Sequence, residues 1–444
     1  MARCRRSPSR GCALLLALLA PTAARAEDGA LAERVARLEA QVRELAQARE
    51  PAQDPRSPVL RLTGFVQVDA AVYRQDSEDQ LDEATGQPLN ETRFVIRRAR
   101  LRAVSEWRYL GAALELDGST VQGAQARLLG AEAWVQWPAP RELPPYAQLA
   151  AGLFKIPFGR EVLQYDPERL FLERCTVVRA LFPGEYDLGL RVQGGWRLLR
   201  YAVAAMNGAP AGEAMFSARD PNRSKDLIAR LGIDSALGSA LRLRVGLSGV
   251  YGTGFSPGTA ATKDVLTWRD DNDDGQVQPS ELQVLRGRAA TPSQNFDRSA
   301  LGGDAEVTIA LPRLGELQLA AEIIWAQNLD RGLVPADPIA AGRSLREFGY
   351  YVGFTQAITP YARLGLRFDS YDPDADRQEQ RGAQLVPVVA GFSTLAVTAA
   401  VQHPRFGRLT VEYENSRNPL GRSASGAPTT LGRDAVILRA QGSF

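Results

Sequence analysis

Histidine, cysteine and lysine are scarce in this chain, and each shortage closes a class of function. His403 is the only histidine among 444 residues, and Cys4 and Cys12 sit so near the start that Cys175 is the one thiol of the body. A single cysteine makes no intramolecular disulfide, so the fold must be held by its hydrogen bonds and packing. No CxxC, HExxH or glycine-rich phosphate loop occurs, and His403 falls in an expected short turn, far from any catalytic mouth. Without a histidine facing substrate, Ser-His or Asp-His catalysis has no base, and the chain does not read as an enzyme. Charge excess is missing as well. The formal net charge is +2, and the first 26 residues hold five arginines and no acid, which leaves about −3 for the rest. Near-neutrality excludes nucleic acid as the default partner. After residue 26 no apolar run reaches the roughly 20 residues that a membrane-spanning helix needs.

What is present begins with a targeting pattern. Arg3, Arg5, Arg6 and Arg10 precede the apolar run Ala13–Ala20, and Ala24-Arg25-Ala26 offers a small-residue cleavage site. Residues 1–26 are therefore expected to be a signal peptide. Leu31, Val35, Leu38, Val42 and Leu45 follow at 4-3-4-3 spacing, the seam of a short coiled coil. Residues 27–50 are expected to form that helix, joining copies of the chain or else lying on the body of the protein. Pro51, Pro55 and Pro58 make 51–58 a stiff linker.

From Val59 to Phe444 about sixteen segments alternate apolar and polar residues. In 241–248, Leu241, Leu243, Val245 and Leu247 oppose Arg242, Arg244, Gly246 and Ser248. In 362–369, Leu364, Leu366 and Phe368 oppose Arg363, Gly365, Arg367 and Asp369. In 93–107, Val95, Ala99, Leu101 and Ala103 are expected on one face and Arg98, Arg100 and Arg102 on the other. Short turns near 108–109, 138–145, 197–198, 236–239, 312–314, 358–360 and 403–405 alternate with longer connections. The longer ones lie near 74–92, 118–128, 156–187, 208–226, 252–300, 327–345, 371–390 and 416–431. An even strand count with lopsided ends predicts an all-β fold, a 16-stranded antiparallel transmembrane barrel in the bacterial outer membrane. Both termini, and the N-terminal helix, then fall on the periplasmic side, with outer-membrane lipids around the barrel. The last strand, Asp434 to Phe444, ends on an aromatic residue that would be read by the barrel assembly machinery.

Several segments resemble the phosphate-selective porins of the O and P type. They are RRARL (97–101), GLFKIPFGRE (152–161), FLER (171–174), RALFPGEYDLGL (179–190), YAVAAMNG (201–208) and the closing strand with Arg439, Gln441 and Phe444. The resemblance implies a homotrimer of barrels, each narrowed by its third long loop, 156–187, folding inward. It also implies passage of small anions such as phosphate along arginines. Arg160, Arg174 and Arg179 would come from that loop, with Lys155 at its base and Arg98, Arg100, Arg102 and Arg191 from neighbouring strands. A guanidinium keeps its charge and offers several donors, so a ladder of them favours anions. Members tuned for phosphate use lysine too, and here only Lys155, Lys225 and Lys263 exist, so no phosphate-specific lysine is assigned. The alternative function is a structural or adhesive barrel with a plugged or weakly selective pore.

Asp270 to Glu281, DDNDDGQVQPSE, matches the spacing of a calcium-binding loop. Asp270, Asn272 and Asp274 take the first ligand positions, Gly275 the bend, Gln276 the carbonyl position, Gln278 the ninth and Glu281 the twelfth. Pro279 departs from the pattern, and a structural Ca²⁺ ordering the external loop 252–300 is the expectation.

Overall fold

Along much of the sheet large apolar side chains are exposed and charged ones buried, the reverse of a soluble protein. In 362–369, Leu366 is 47% exposed while Arg367 and Asp369 are 2% and 0% exposed. Such an inversion has a physical account only when the exposed face meets lipid and the buried face lines a lumen. The computed structural model describes residues 59–74, 92–121, 124–137, 144–209, 222–238, 240–268, 276–312, 314–381, 384–387, 391–403, 407–418 and 431–444. The signal peptide, the helix 27–50 and the linker lie outside the described residues.

The first nine strands are β1 (Val59–Arg74), β2 (Arg93–Glu106), β3 (Leu110–Ser119), β4 (Gln125–Trp137), β5 (Ala147–Lys155), β6 (Tyr186–Trp196), β7 (Leu199–Met206), β8 (Asp226–Leu237) and β9 (Leu241–Ser256). A small hairpin, β10 (Val265–Trp268) and β11 (Leu282–Leu285), follows in a long connection. Then come β12 (Gln294–Leu311), β13 (Gly315–Gln327), β14 (Arg346–Ala357) and β15 (Ala362–Asp372). A second hairpin, β16 (Gln378–Arg381) and β17 (Gln384–Pro387), precedes β18 (Phe392–His403), β19 (Gly407–Asn418) and β20 (Leu431–Ser443). Sixteen of these strands, all but the two hairpins, form one closed antiparallel barrel. Closure pairs β1 with β20 from Phe65↔Ser443 to Arg74↔Asp434. The Phe444 backbone finishes the seam, exchanging hydrogen bonds with Gly64 at 3.0 and 2.9 Å. No sheet edge remains, so every strand finds both neighbours inside the sheet.

The short turns gather at one end. There Trp107, Tyr109, Trp137, Tyr146, Trp196 and Tyr361 point outward, a girdle of amphipathic rings at the level where lipid meets water. Exposed Phe94, Tyr251 and Trp325 mark the long-loop end.

Two expectations need correction. The connection expected long at 118–128 spans only 120–124, because β3 and β4 continue pairing to Ser119↔Gln125. The faces of β2 also change partway. Gln67 pairs with Arg98 but Val68 pairs with Ile96, so Arg97 is an extra residue, a β-bulge. Beyond it the alternation inverts. Val95 turns to the lumen with Arg93 and Arg97, and Phe94 and Ile96 take the exposed face instead.

Candidate functional site

The alternation stops after Lys155, and 156–185 runs inside the barrel. Its apolar residues explain why. Ile156, Phe158, Val162, Val177, Val178, Leu181 and Phe182 are all buried, packed with Met206, Ile228, Ile324, Tyr351 and Tyr371 of the barrel wall. Each such side chain moved out of water contributes roughly 1.5–3 kcal/mol. The wall has hollows for them. A Cβ on Gly302 would stand 2.8 Å from the Phe158 ring, one on Gly349 2.6 Å from Val177, and one on Gly365 2.8 Å from Leu170. The phenyl rings of Phe158 and Phe182 lie 4.7 Å apart. The short helix Thr176–Leu181 sits in this region, with Thr176 Oγ1 donating to Asp369 at 2.5 Å.

The loop's other side is tied down by charge. Asp166 accepts from Arg100, and lies 2.8 Å from Arg169, 3.1 Å from Arg174 and 4.0 Å from Arg98. Burial alone would raise its carboxyl, but Arg174, Arg100, Arg98 and Arg169 hold it well below the usual carboxylate range. Glu173 is likewise held well below that range against its burial, by Arg97, Arg98 and Arg439. Those three guanidiniums approach it to 2.9, 3.1 and 3.0 Å. Arg439 also makes a two-pronged pair with Asp69, both bonds 2.7 Å, and donates to the Leu172 carbonyl at 2.7 Å. The loop is thereby latched to β2 and to β20, where Arg439 lies 266 residues from Glu173 in sequence.

Three spaces lie between the inward loop and the barrel wall. The first, at the long-loop end, has a volume of about 290 Å³ and is lined by Arg93, Arg97, Arg179, Arg417 and Arg439 against Asp69, Glu173 and Glu414. The second is a waist of about 40 Å³, which shares Arg97 and Val121 with the first space. Four arginines, Arg97, Arg98, Arg100 and Arg127, face two acids there, Asp117 and Glu185. That volume holds about three waters. The third, toward the short-turn end, is about 650 Å³ and shares Tyr186 with the waist. Its charges balance, with Arg61, Arg102, Lys155 and Arg191 against Glu106, Glu115, Glu132 and Glu168.

The residues expected to guide anions are therefore dispersed. Arg98 and Arg100 stand at the waist, whereas Arg102, Lys155 and Arg191 line the third space. Arg191 pairs with Glu132 at 2.8 Å and lies over the Phe154 ring, and Arg102 is 3.8 Å from both Glu115 and Glu132. Lys155 donates to the Gln164 carbonyl at 2.7 Å and lies 3.7 Å from Glu185. Arg174 is buried within the loop, bonded to Glu185 and to the Glu161 carbonyl. Arg160 is turned to the far wall, 2.6 Å from Glu306, and lines none of the three spaces. Arg179 projects into the first space. Arg97, Arg127 and Arg439 were not foreseen. Arg97 is hidden by the bulge, and Arg127 by the assignment of 118–128 to a loop.

Of the calcium-loop residues, Asp270, Asn272 and Asp274 lie outside the described residues. Glu281 is buried, accepting from the Trp268 indole at 3.0 Å and from the Gln278 backbone at 3.3 Å. Gln276 and Gln278 lie in the same loop, and no cluster of three His, Cys, Asp or Glu poised for a metal occurs among the described residues.

No family model matches the chain, and none of the curated proteins is similar to it in sequence. Solved structures do match its fold. OprB of Pseudomonas putida aligns with a TM-score of 0.54 at 12% identity, over 87% of this chain and 94% of that one. The outer membrane channel DcaP of Acinetobacter baumannii gives 0.52 at 13% identity, over 87% and 98%. An anion-selective porin from Comamonas acidovorans gives 0.52 at 9% identity, over 87% and 100%. At these identities the likeness is one of fold, the sixteen-stranded barrel of outer-membrane channels.

Proposed function

We propose that the chain is an outer-membrane porin, a passive diffusion channel assembled as a homotrimer, with a constriction that favours small anions such as phosphate. The observation that carries this reading is the gathering of four guanidiniums, Arg97, Arg98, Arg100 and Arg127, around one small space between the inward loop and the wall, each with a carboxylate partner. Selectivity is set where the path is narrowest, because there the solute exchanges most of its water for wall groups. The preference is moderate. Arg98 and Arg100 already share Asp166 and Glu173, and only their remaining donors reach a passing ion. In this reading the long loops face the outside and the short turns the periplasm.

Reconstitution into a planar bilayer tests the channel itself. Discrete conductance steps in KCl that added phosphate reduces are expected. Insertion without steps favours the structural or adhesive barrel, a rival that the small waist supports.

The calcium reading of 270–281 has its own check. Terbium, an ion of similar size and ligand preference, should show luminescence sensitised through Trp268, whose indole touches Glu281. Calcium should displace it, and Glu281→Gln should weaken it. A signal unaffected by calcium removes the site.

A further inference from the structure

The space at the long-loop end differs from the other two in having arginines outside any ion pair among apolar side chains. Arg179 donates only to Thr176 Oγ1, at 3.4 Å, and Arg93 only to the Val121 carbonyl, at 3.4 Å. Among the described residues no carboxylate pairs with either of them or with Arg417. Five arginines face three carboxylates around this space, a formal excess of two positive charges. Two of those acids are already taken, Asp69 by Arg439 and Glu173 by Arg97, Arg98 and Arg439. Between the arginines the lining includes the apolar side chains of Val95, Leu333, Phe392 and Ile437 and the ring of Tyr73, beside the hydroxyls of Thr394 and Ser416. Phe392 stacks with Tyr371, ring centroids 6.3 Å apart.

We infer that this vestibule is a binding site for an organic anion with a flat apolar body, such as an aromatic carboxylate. The head group meets Arg179 and Arg417 and the body lies against Phe392. An inorganic anion meets the guanidiniums but leaves the apolar side chains of Val95, Leu333, Phe392 and Ile437 uncovered. A neutral aromatic molecule covers those side chains only, leaving the guanidiniums unanswered. The volume of about 290 Å³ lies just under the range of drug-sized pockets and suits a single small ring with its substituent. The inference deepens the anion-channel reading by naming a solute class at the pore's entrance. It asks only that the vestibule be open to solution, so binding is measurable whether or not the barrel conducts.

The experiment is equilibrium titration of the full-length, detergent-solubilised protein with benzoate, acetate and phenol, followed by calorimetry. Benzoate should bind at least tenfold more tightly than either acetate or phenol. The double variant Arg179→Gln/Arg417→Gln should lose at least tenfold in benzoate affinity. Phe392→Ala should lower benzoate affinity toward that of acetate and leave acetate unchanged. Retained heat-modifiable migration in gels certifies the folded barrel in each variant. Equal binding of benzoate and acetate, no binding of benzoate, or a double variant that binds as the parent does would each overturn the site. Channel currents recorded on the same preparation report on the porin reading separately, since their absence does not affect the titration.

Discussion

Replacing Asp166 with alanine should loosen the constriction loop and sharpen anion preference together. The side chain is the shared counter-ion of Arg98, Arg100, Arg169 and Arg174. Its loss leaves four guanidiniums near one another in a buried setting, where breaking one partner of a charge cluster costs about 3–5 kcal/mol. Two responses follow. The loop segment 164–174 is held less firmly, and the freed donors become available to permeating anions. Urea midpoints of the reconstituted protein should fall, while the ratio of chloride to potassium permeability should rise severalfold. An unchanged ratio would remove Asp166 from the constriction. The pH dependence has a definite sign. A carboxyl depressed in the folded protein contributes stability that is present above its unfolded pKa, about 3.9. That contribution is lost only as pH falls through the lower folded value. Asp166 and Glu173 are both held well below the ordinary range, so their own contribution to selectivity should be constant between pH 7 and pH 5.

The other large effect is expected from Gly159→Val. Gly159 has φ of 60°, a backbone conformation that a β-branched residue rarely adopts, and its Cβ would stand 1.9 Å from Glu322 Oε1. The same stretch is docked by two hydrogen bonds. The Gly159 amide donates to Ser248 at 3.0 Å, and the Glu161 amide donates to Glu322 at 3.1 Å. Backbone strain of about 1–3 kcal/mol adds to the collision, so valine should lift the loop from the wall. The barrel's own ladder is untouched, and gel migration should stay that of the folded form. Single-channel conductance should rise severalfold. Gly303→Ala is the control, since nothing lies nearer than 3.8 Å to its Cβ, and it should leave conductance unchanged. A Gly159→Val channel with parental conductance would show that the loop does not set the resistance of the pore.

The barrel was legible in the chain because its signal is local and repeats. Period-2 alternation at 241–248 and 362–369 assigned faces that the structure reproduces, and turn lengths located both ends. The failures fall where local pattern is interrupted. At β2 one extra residue shifts the register, and the bulge is invisible without the partner strand, so Arg97 was placed outside the lumen set and Val95 on the wrong face. At 118–128 a long connection is expected, yet cross-strand pairing carries β3 to Ser119 and begins β4 at Gln125.

The site was less legible than the fold for a related reason. Its chemistry depends on pairs distant in sequence, such as Glu173 with Arg439 and Asp166 with Arg100, and no spacing rule foretells them. The loop acids were visible as residues, but whether they neutralised the arginines was not. One further signal was available. Gly302, Gly349 and Gly365 leave hollows where inward-facing side chains would otherwise stand, and such gaps mark where a loop packs against the wall.

The most direct measurement is the zero-current potential of the reconstituted protein across a KCl gradient. The arginines gathered at the waist call for a potential of the sign set by chloride preference, moderate in size because Asp166 and Glu173 share them, and shrinking as salt rises and screens the charges. A potential of the opposite sign, set by potassium, would contradict an arginine-governed constriction.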